Sequence, residues 1–161
     1  MKVSTGPRET AENTREKGRK RPEADSVERA LDQVGDKWSF LILREAYFGV
    51  RRFDALQTNT GAAPSILTKR LKKMVADGLL QKRPYCERPV RYEYRVTPKG
   101  LALYPAIILF MQWGDDWLGD EEGPPLTLIH RPCGHVFQPE LRCNHCSEPV
   151  TAHSMDWRPS R

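Results

Sequence analysis

Apolar residues recur every three or four positions in five stretches between residues 25 and 119, which is the spacing of one face of an amphipathic helix. Asp25 and Asp36 precede the first two stretches and are typical N-terminal caps. Pro64 suits the first position of a helix because the amide that it lacks would be unpaired there. The pattern predicts helices at 25–35, 37–48, 53–59, 64–78 and 98–118, the last with a kink near Pro105.

Between residues 80 and 96 the spacing changes to every second residue, which is typical of strands. Residues 80–86 and 90–96 flank the turn-prone segment 87–89 and predict a β-hairpin, whose second strand has the basic alternation Arg91, Glu93, Arg95 on one face. The predicted core faces are Trp38, Leu41, Ile42 and Ala46 on the second helix and Leu67, Leu71 and Val75 on the fourth. The fold class is therefore mainly α with a small β-hairpin (α+β), in the order of a winged helix-turn-helix.

The positive charge of the chain is concentrated in its middle third. The formal net charge is +5 overall, but residues 49–100 hold 12 Lys and Arg against 4 Asp and Glu, so this segment alone carries +8 and the remainder −3. Such segregation favours a polyanionic partner. Because the same segment contains the helix-turn-helix and the hairpin, we expect double-stranded DNA to be that partner.

Residue types on the fourth helix and the hairpin divide the predicted DNA contacts into two groups. Lys side chains can donate to guanine, and Ser and Thr can serve several bases, so the predicted groove-facing residues are Ser65, Thr68, Lys69 and Lys72. The hairpin at 80–96 forms the wing of such a fold. The residues predicted to contact phosphates, from the wing or beside it, are Arg51, Arg52, Lys73, Arg88 and Arg91. Arg70 lies nearer the buried boundary of the helix, where we expect it to pair with an acidic residue.

Several motifs resemble the HxlR family of winged helix-turn-helix regulators, in order along the chain. They are SVERAL at 26–31, GDKW at 35–38, LILR at 41–44, LTKRL at 67–71, DGLL at 77–80, PVRYEY at 89–94 and TPKG at 97–100. The resemblance covers about residues 25–119. It implies a bacterial repressor or activator, dimeric through its first and last helices, that recognises a pseudo-palindromic operator.

One position departs from that family. Many relatives have a cysteine immediately before the Val-Glu-Arg-Ala segment, which senses oxidants in some of them, but this chain has Ser26 there. Cys86, on the first strand of the hairpin, is the remaining cysteine of the predicted DNA-binding domain. A thiol-based redox response through Cys86 or the C-terminal cysteines is therefore kept as an alternative, next to a passive role for Cys86.

The C-terminal segment has the spacing of a metal site. His130 and Cys133 are separated by two residues, nine residues follow, and Cys143 and Cys146 are again separated by two. Two such pairs suit a closed tetrahedral Zn(II) site of Cys3His type, which predicts a small zinc-ribbon-like module. His135 and His145 are rival fourth ligands, and a metal-free thiol cluster or a set without function are the alternatives.

The remaining expectations concern organisation and competing functions. We expect a disordered polar arm at 1–24, a DNA-binding and dimerisation domain at 25–119, and a linker with the Cys/His tail at 120–161. The composition predicts a cytoplasmic protein that is not a membrane protein. The sequence has no recognisable set of catalytic residues, so we expect that the protein is not an enzyme. A non-DNA-binding adaptor is the alternative function. The candidate pocket for a small-molecule effector, whose residues fit a core or dimer interface equally, is lined by Trp38, Phe40, Tyr104, Phe110, Trp113 and Trp117.

Overall fold

A computed structural model describes residues 25–156, of which helix α1 belongs to one unit and the residues from Asp36 onward to a second. The two units are described separately. The predicted N-terminal arm lies outside the described residues. The elements are α1 (Ser26–Val34), α2 (Lys37–Tyr47), α3 (Phe53–Thr60), α4 (Pro64–Ala76), β1 (Leu80–Glu87), β2 (Val90–Val96), α5 (Pro98–Leu101), α6 (Tyr104–Leu118), β3 (Ile129–His130) and β4 (His135–Val136).

The predicted caps start the first two helices. Asp25 accepts a hydrogen bond from the amide of Val27 at 3.1 Å. Asp36 accepts from the amides of Trp38 at 3.0 Å and Ser39 at 3.2 Å, and these donors would otherwise have no partner in the first turn of α2. The bounds of the first four helices follow the sequence prediction within one or two residues, because caps and stops act locally.

The hydrophobic core of the second unit lies where α2, α3, α4 and α6 meet the start of β1. Its fully or almost fully buried apolar side chains are Ile42, Leu43, Leu56, Ala62, Leu67, Leu71, Met74, Leu79, Leu80, Ile107 and Ile108. Each buried Leu, Ile or Met stabilises the fold by about 1.5–3 kcal/mol relative to an exposed one. Leu67, Leu71 and Ile42 confirm the predicted faces.

Four predicted core positions are wrong in detail. Trp38, Leu41, Ala46 and Val75 are only half-buried, whereas Leu43 and Met74 are fully buried in the same helices. On α2 the buried face passes through Ser39, Ile42 and Leu43, so it is rotated from the face that hydropathy alone predicted. Sequence periodicity gives the width of an apolar face, but the neighbouring helices decide which edge of it is covered.

The single long C-terminal helix predicted at 98–118 is also wrong. The chain forms the short helix α5 and, after Ala102 and Leu103, the separate helix α6. Pro105 occupies the first turn of α6, where its missing amide needs no partner, and it cannot donate to the carbonyl of Leu101 as a continuous helix would require. The expected kink is therefore a complete break.

The hairpin forms as predicted, with β1 and β2 antiparallel and Leu80 opposite Val96. A register shift lies between Pro84 and Cys86. The chain before α3 joins the hairpin as well, because Arg52 forms an isolated bridge with Glu93. No described helix has the length and apolar character needed to cross a membrane.

The segment after α6 is built differently from the rest of the second unit. Strands β3 and β4 pair antiparallel, and a further bridge joins Arg142 to Pro149. Within the described residues 119–156 no side chain is buried. We call residues 119–156 the C-terminal module.

Candidate nucleic-acid interface

Helix α4 is fixed by one face and free on the other. Gly61 ends α3 in the left-handed conformation, with φ 67°, which lets the chain turn directly into α4. Leu67, Leu71 and Met74 are fully buried beneath α4. The four predicted groove-facing residues, Ser65, Thr68, Lys69 and Lys72, are all exposed. A helix held in this way presents a polar, basic face to solvent without further support.

Arg70 pairs with an acidic residue, as expected from its position. Its Nε lies 3.1 Å from Oδ1 of Asp36, the residue that caps α2. Both side chains are partly buried, and Asp36 also accepts from the hydroxyl of Ser39 at 2.6 Å. Arg70 therefore links α4 to the start of α2 and is not among the free cations of the interface.

Lys73 differs from the neighbouring predicted contacts. Its ammonium nitrogen lies 2.6 Å from Oδ2 of Asp77, one turn further along the helix. Lys99 donates to the backbone carbonyl of the same Asp77 at 2.7 Å. A phosphate contact by Lys73 would therefore compete with an existing ion pair, whereas no ion pair within the described residues involves Lys69 or Lys72.

Arg51 and Arg52 lie against the wing rather than in a separate loop. The carbonyl of Arg51 accepts a hydrogen bond from the amide of Tyr94 at 2.8 Å, and Arg52 is bridged to Glu93. The guanidinium of Arg52 lies 4.5 Å from the ring centroid of Tyr85. These contacts place two predicted phosphate-binding residues at the edge of the hairpin, a position that no local sequence pattern indicates.

The wing is basic, but not uniformly so. Arg88 and Arg91 are exposed at and next to its turn. Further along, the guanidinium of Arg95 is paired with Glu93 at 2.6 Å, so the alternation predicted as a basic face is partly neutralised. Lys82 lies over the ring of Tyr92 on the hairpin, 3.9 Å from the centroid. The free positive charge is therefore greatest near the tip.

A buried carboxylate holds α3 in place and was not found by the sequence analysis. Glu45 is almost fully buried on α2. It accepts from the side-chain amide of Asn59 at 2.7 Å and pairs with Arg44 at 2.9 Å. Because buried charges are stable only when paired, these bonds fix the helix that precedes the turn into α4. A Glu within a helical pattern gives no signal of burial.

A groove of about 840 Å³ lies between the end of α2, strand β2 and the C-terminal module. We call it the tyrosine groove. Its lining contains no carboxylate and consists of Ala46, Tyr47, Phe48, Arg51, Tyr94, Arg95, Val96, Leu101, Tyr104, Leu128, Ile129, His130, Arg131, Pro132 and Phe137. Of the six aromatic residues predicted to line an effector pocket, Tyr104 alone lines this groove.

Tyr47 is the polar anchor of the tyrosine groove. Its hydroxyl donates to the carbonyl of Gly100 at 2.6 Å, and its ring meets that of Tyr104 edge to face at 5.1 Å. Burial, together with the neighbouring Tyr104, raises the pKa of Tyr47 from 10.0 to about 12. Burial also raises the pKa of Tyr94. Both phenols are therefore neutral donors at physiological pH.

The predicted metal ligands form two close pairs. Nδ1 of His130 lies 3.2 Å from Sγ of Cys133. Hydrogen bonds from the backbone amides of Cys146 and His145, and from the Cys146 side chain, lower the pKa of Cys143. Within the described residues, no three His, Cys, Asp or Glu side chains are grouped so that they would hold one ion. The four predicted ligands are thus brought together two by two.

Cys86 has no disulfide partner and is half-buried on β1. Its thiol contacts the carbonyl of Arg88 at 3.8 Å. Neither observation distinguishes a redox role from a passive one.

Comparison with known proteins supports the architecture. A model of the HxlR-like helix-turn-helix family matches residues 33–122. An uncharacterised HTH-type transcriptional regulator of Mycobacterium tuberculosis is 48% identical over 137 residues, which are 85% of this chain and 87% of the relative. A further uncharacterised HTH-type regulator, from Synechocystis, is 34% identical over 59% of this chain and 71% of its own length.

Solved structures agree with these relatives. The crystal structure of PA1607, described as a candidate transcription factor, superposes with a TM-score of 0.76 at 33% identity, and the match covers 85% of this chain and 96% of PA1607. The reduced form of the redox regulator HypR superposes with a TM-score of 0.54 at 28% identity, covering 57% of this chain and 92% of HypR. The longer match to PA1607 extends beyond the family region, into the C-terminal part of the chain.

Proposed function

This chain belongs to the family of HxlR-like helix-turn-helix transcriptional regulators, and from that premise we propose that it binds a pseudo-palindromic operator in double-stranded DNA as a homodimer. The family and its relatives are transcriptional regulators and not enzymes. The observation that supports the proposal best is the exposed polar face of α4, whose opposite face is anchored in the core.

The proposed roles follow from where the side chains lie. An α-helix fits the major groove of B-DNA, so Ser65, Thr68 and Lys69 would meet base edges there, with Lys72 on the same exposed face. Arg88 and Arg91, near the tip of the wing, would contact the flanking backbone, as would Arg51 and Arg52 at its edge. Lys73 would add a phosphate contact by exchanging Asp77 for DNA.

The proposed dimer follows from apolar surface that the described chain leaves uncovered. Phe110 and Trp117 on α6 are 60% and 74% exposed, and Trp113 stacks on Phe110 with ring centroids 6.3 Å apart. Large aromatic side chains clustered on the surface of a soluble protein usually mark an interface. A second copy of this chain is the proposed occupant, since two-fold symmetry of the protein matches a pseudo-palindrome.

The operator is unknown, so the test begins with its selection from a random duplex library by the wild-type chain. We expect an enriched inverted repeat, bound by two chains per duplex, with affinity that falls steeply as salt rises. Lys69→Glu should remove binding to the selected duplex while circular dichroism stays unchanged. Lys37→Glu makes the same charge change at an exposed position of α2 to which the proposal assigns no contact, and it should keep the wild-type affinity.

Three outcomes would contradict the proposal. Failure of the folded wild-type chain to enrich any sequence would favour the non-DNA-binding adaptor. Full binding by Lys69→Glu would mean that α4 does not enter the groove. Binding of one chain to an asymmetric site would exclude the homodimer.

The proposal includes a small-molecule effector, for which the tyrosine groove is the candidate site. Two guanidinium groups without an ion pair in the described residues, from Arg51 and Arg131, line it with aromatic rings and no carboxylate. Arg95, the third guanidinium, is paired with Glu93. This chemistry favours a small aromatic carboxylate.

Calorimetric titration tests the effector, with benzoate as the probe and benzamide as its neutral isostere. Benzoate should bind at least ten times more tightly than benzamide, and Arg131→Ala should remove the difference. Equal affinities for both probes, or no binding, would exclude an anionic aromatic effector in the groove and leave the DNA-binding proposal intact.

Localisation and redox control complete the proposal. A regulator of chromosomal genes in a prokaryote acts in the cytoplasm, where we place this chain. The rival mechanism is control by thiol oxidation, in which diamide changes DNA binding by the wild type. The Cys86→Ser variant loses this response if Cys86 is the sensor, and Cys143→Ser loses it if the C-terminal cysteines are.

A further inference from the structure

The two predicted ligand pairs lie on turns with the same backbone hydrogen bonding. In the first turn the carbonyl of His130 accepts from the amide of Gly134 at 2.8 Å. In the second, the carbonyl of Cys143 accepts from the amide of Ser147 at 2.9 Å. Each turn therefore closes between the first ligand of its pair and the residue that follows the second ligand. The two sequences have in common only the two-residue spacing of the donors and a cysteine as the second donor.

The residue after each pair is also in the same unusual conformation. Gly134 has φ 72° and Ser147 has φ 61°. A left-handed conformation is ordinary for glycine but unfavourable for serine, so the backbone of the second turn is strained at Ser147. Within the described residues, Ser147 is the one non-glycine residue with positive φ. The recurrence of one geometry on two unrelated sequences points to a common task.

Each turn is also the end of a short antiparallel ladder. Strands β3 and β4 flank the first turn, with His130 opposite His135. The second turn lies inside the bridge between Arg142 and Pro149, and the amide of Cys143 donates to the carbonyl of Glu148 at 2.9 Å. The module is thus two small hairpins, each presenting two donor side chains at its turn.

No apolar core accounts for the order of these hairpins. Ile129, Val136 and Leu141 are exposed, and nothing is buried in residues 119–156. A segment of this size without a core needs a disulfide, a metal ion or a partner surface to hold a defined structure. The structure contains no disulfide among its four cysteines.

We propose that the two turns close on one structural Zn(II) ion, with His130 and Cys133 from the first turn and Cys143 and Cys146 from the second. Three thiolates and one imidazole form a donor set that zinc prefers, and a closed set of four leaves no position for substrate. Because the described side chains are grouped only in pairs, ion binding must bring the turns together and is coupled to folding of the module.

The side-chain contacts also distinguish among the three candidate histidines. His130 is in contact with Cys133 through Nδ1, at 3.2 Å. Within the described residues, no hydrogen bond joins the imidazole of His135 or His145 to a cysteine side chain. His130 is therefore the fourth ligand, which repeats in the first turn the two-residue spacing of the second.

Metal analysis of the full chain tests the site. Protein purified without added metal and dialysed should contain one zinc per chain by mass spectrometry of the metal. His130→Ala should lower the zinc content at least five-fold, while the matched variant His135→Ala keeps it. Cys143→Ser should lose the metal, and Cys86→Ser, outside the module, should retain it.

Two further measurements guard against variants that fail to fold. Cobalt reconstitution of the wild type should give the visible absorption of tetrahedral cobalt thiolate, which Cys133→Ser should change. Far-ultraviolet circular dichroism should show the helices of every variant unchanged. Folded wild-type protein that is metal-free and does not bind added Zn(II) would overturn the proposal, and zinc loss in His135→Ala but not His130→Ala would overturn the ligand assignment.

Discussion

In residues 36–118, four helices and one end of the hairpin enclose apolar side chains that are almost completely buried, whereas in residues 119–156 not one side chain is buried. The first region is held by contacts between distant parts of the chain. In the second, the observed order consists of backbone hydrogen bonds within two small hairpins. The difference shows that the same chain uses two sources of stability.

The two regions also differ in how their proposed binding sites are formed. Side chains on α4 are positioned by the core beneath them, so the proposed DNA-binding face exists before DNA arrives. The proposed zinc ligands are positioned only in pairs, so that site is completed by its own ion. Substitutions in the two regions should therefore differ sharply in effect.

The largest effect is expected from Leu71→Ala. Leu71 is 0% exposed, so its truncation should lower the free energy of unfolding by about 2–5 kcal/mol. Leu141→Ala makes the same change in the C-terminal module, where the side chain is 56% exposed, and should cost less than about 0.5 kcal/mol. Urea unfolding followed by circular dichroism measures both. Similar values for the two variants would remove the contrast between the regions.

A smaller but clear effect is expected where the backbone itself is packed. Gly100 is buried, and a methyl group there would overlap the carbonyl oxygen of Leu79 and lie 2.7 Å from Cγ1 of Val96. Gly100→Ala should destabilise the chain by about 1–3 kcal/mol. In the control, Gly114→Ala within α6, a methyl group meets no neighbour, so the melting temperature should stay the same or rise. An unchanged melting temperature for Gly100→Ala would show that this packing is loose.

Tyr47→Phe tests the hydrogen bond between the end of α2 and Gly100. Its loss should cost about 0.5–1.5 kcal/mol at pH 7. The native state favours the neutral phenol, since its pKa is raised from 10.0 to about 12; the resulting stability is complete below pH 10 and is lost as the pH rises through 12. Unfolding measured across this range should show a shallower decline for Tyr47→Phe than for the wild type. The same loss of stability with pH in both proteins would mean that the phenol of Tyr47 is not the group responsible.

The smallest effect is expected from Lys73→Ala. Lys73 forms an ion pair with Asp77 one turn away on a partly exposed surface, so its loss should change the free energy of unfolding by less than about 0.5 kcal/mol. The same variant should lower the salt dependence of DNA binding by about one phosphate contact. A large loss of stability would mean that ion pairs, and not the core alone, hold the first region.

Local chemistry explains what could be predicted. Caps, glycine stops and apolar periodicity depend on residues within a few positions of one another, and so the first four helices, the hairpin and part of the buried side of α4 were predictable. The pairing of Arg70 followed from its place at the edge of that buried side. The family resemblance is confirmed by the match over residues 33–122.

Several of the missed features join residues far apart in sequence. Asn59 donates to Glu45 from another helix, Arg52 pairs with the second strand of the wing, and the tyrosine groove combines three separate segments. The rotation of the buried face of α2 belongs to the same class. None of these has a signature in any short stretch of the chain.

The sequence by itself determined where the helices and the hairpin form, which face of α4 is polar, and the spacing of the four C-terminal donors, because all of these depend on residues close along the chain. The tertiary structure alone decided that Arg51 and Arg52 join the wing and that Glu45 is buried and bonded to Asn59. These are contacts whose free energy depends on the surroundings that the folded chain creates, and no residue carries that information alone.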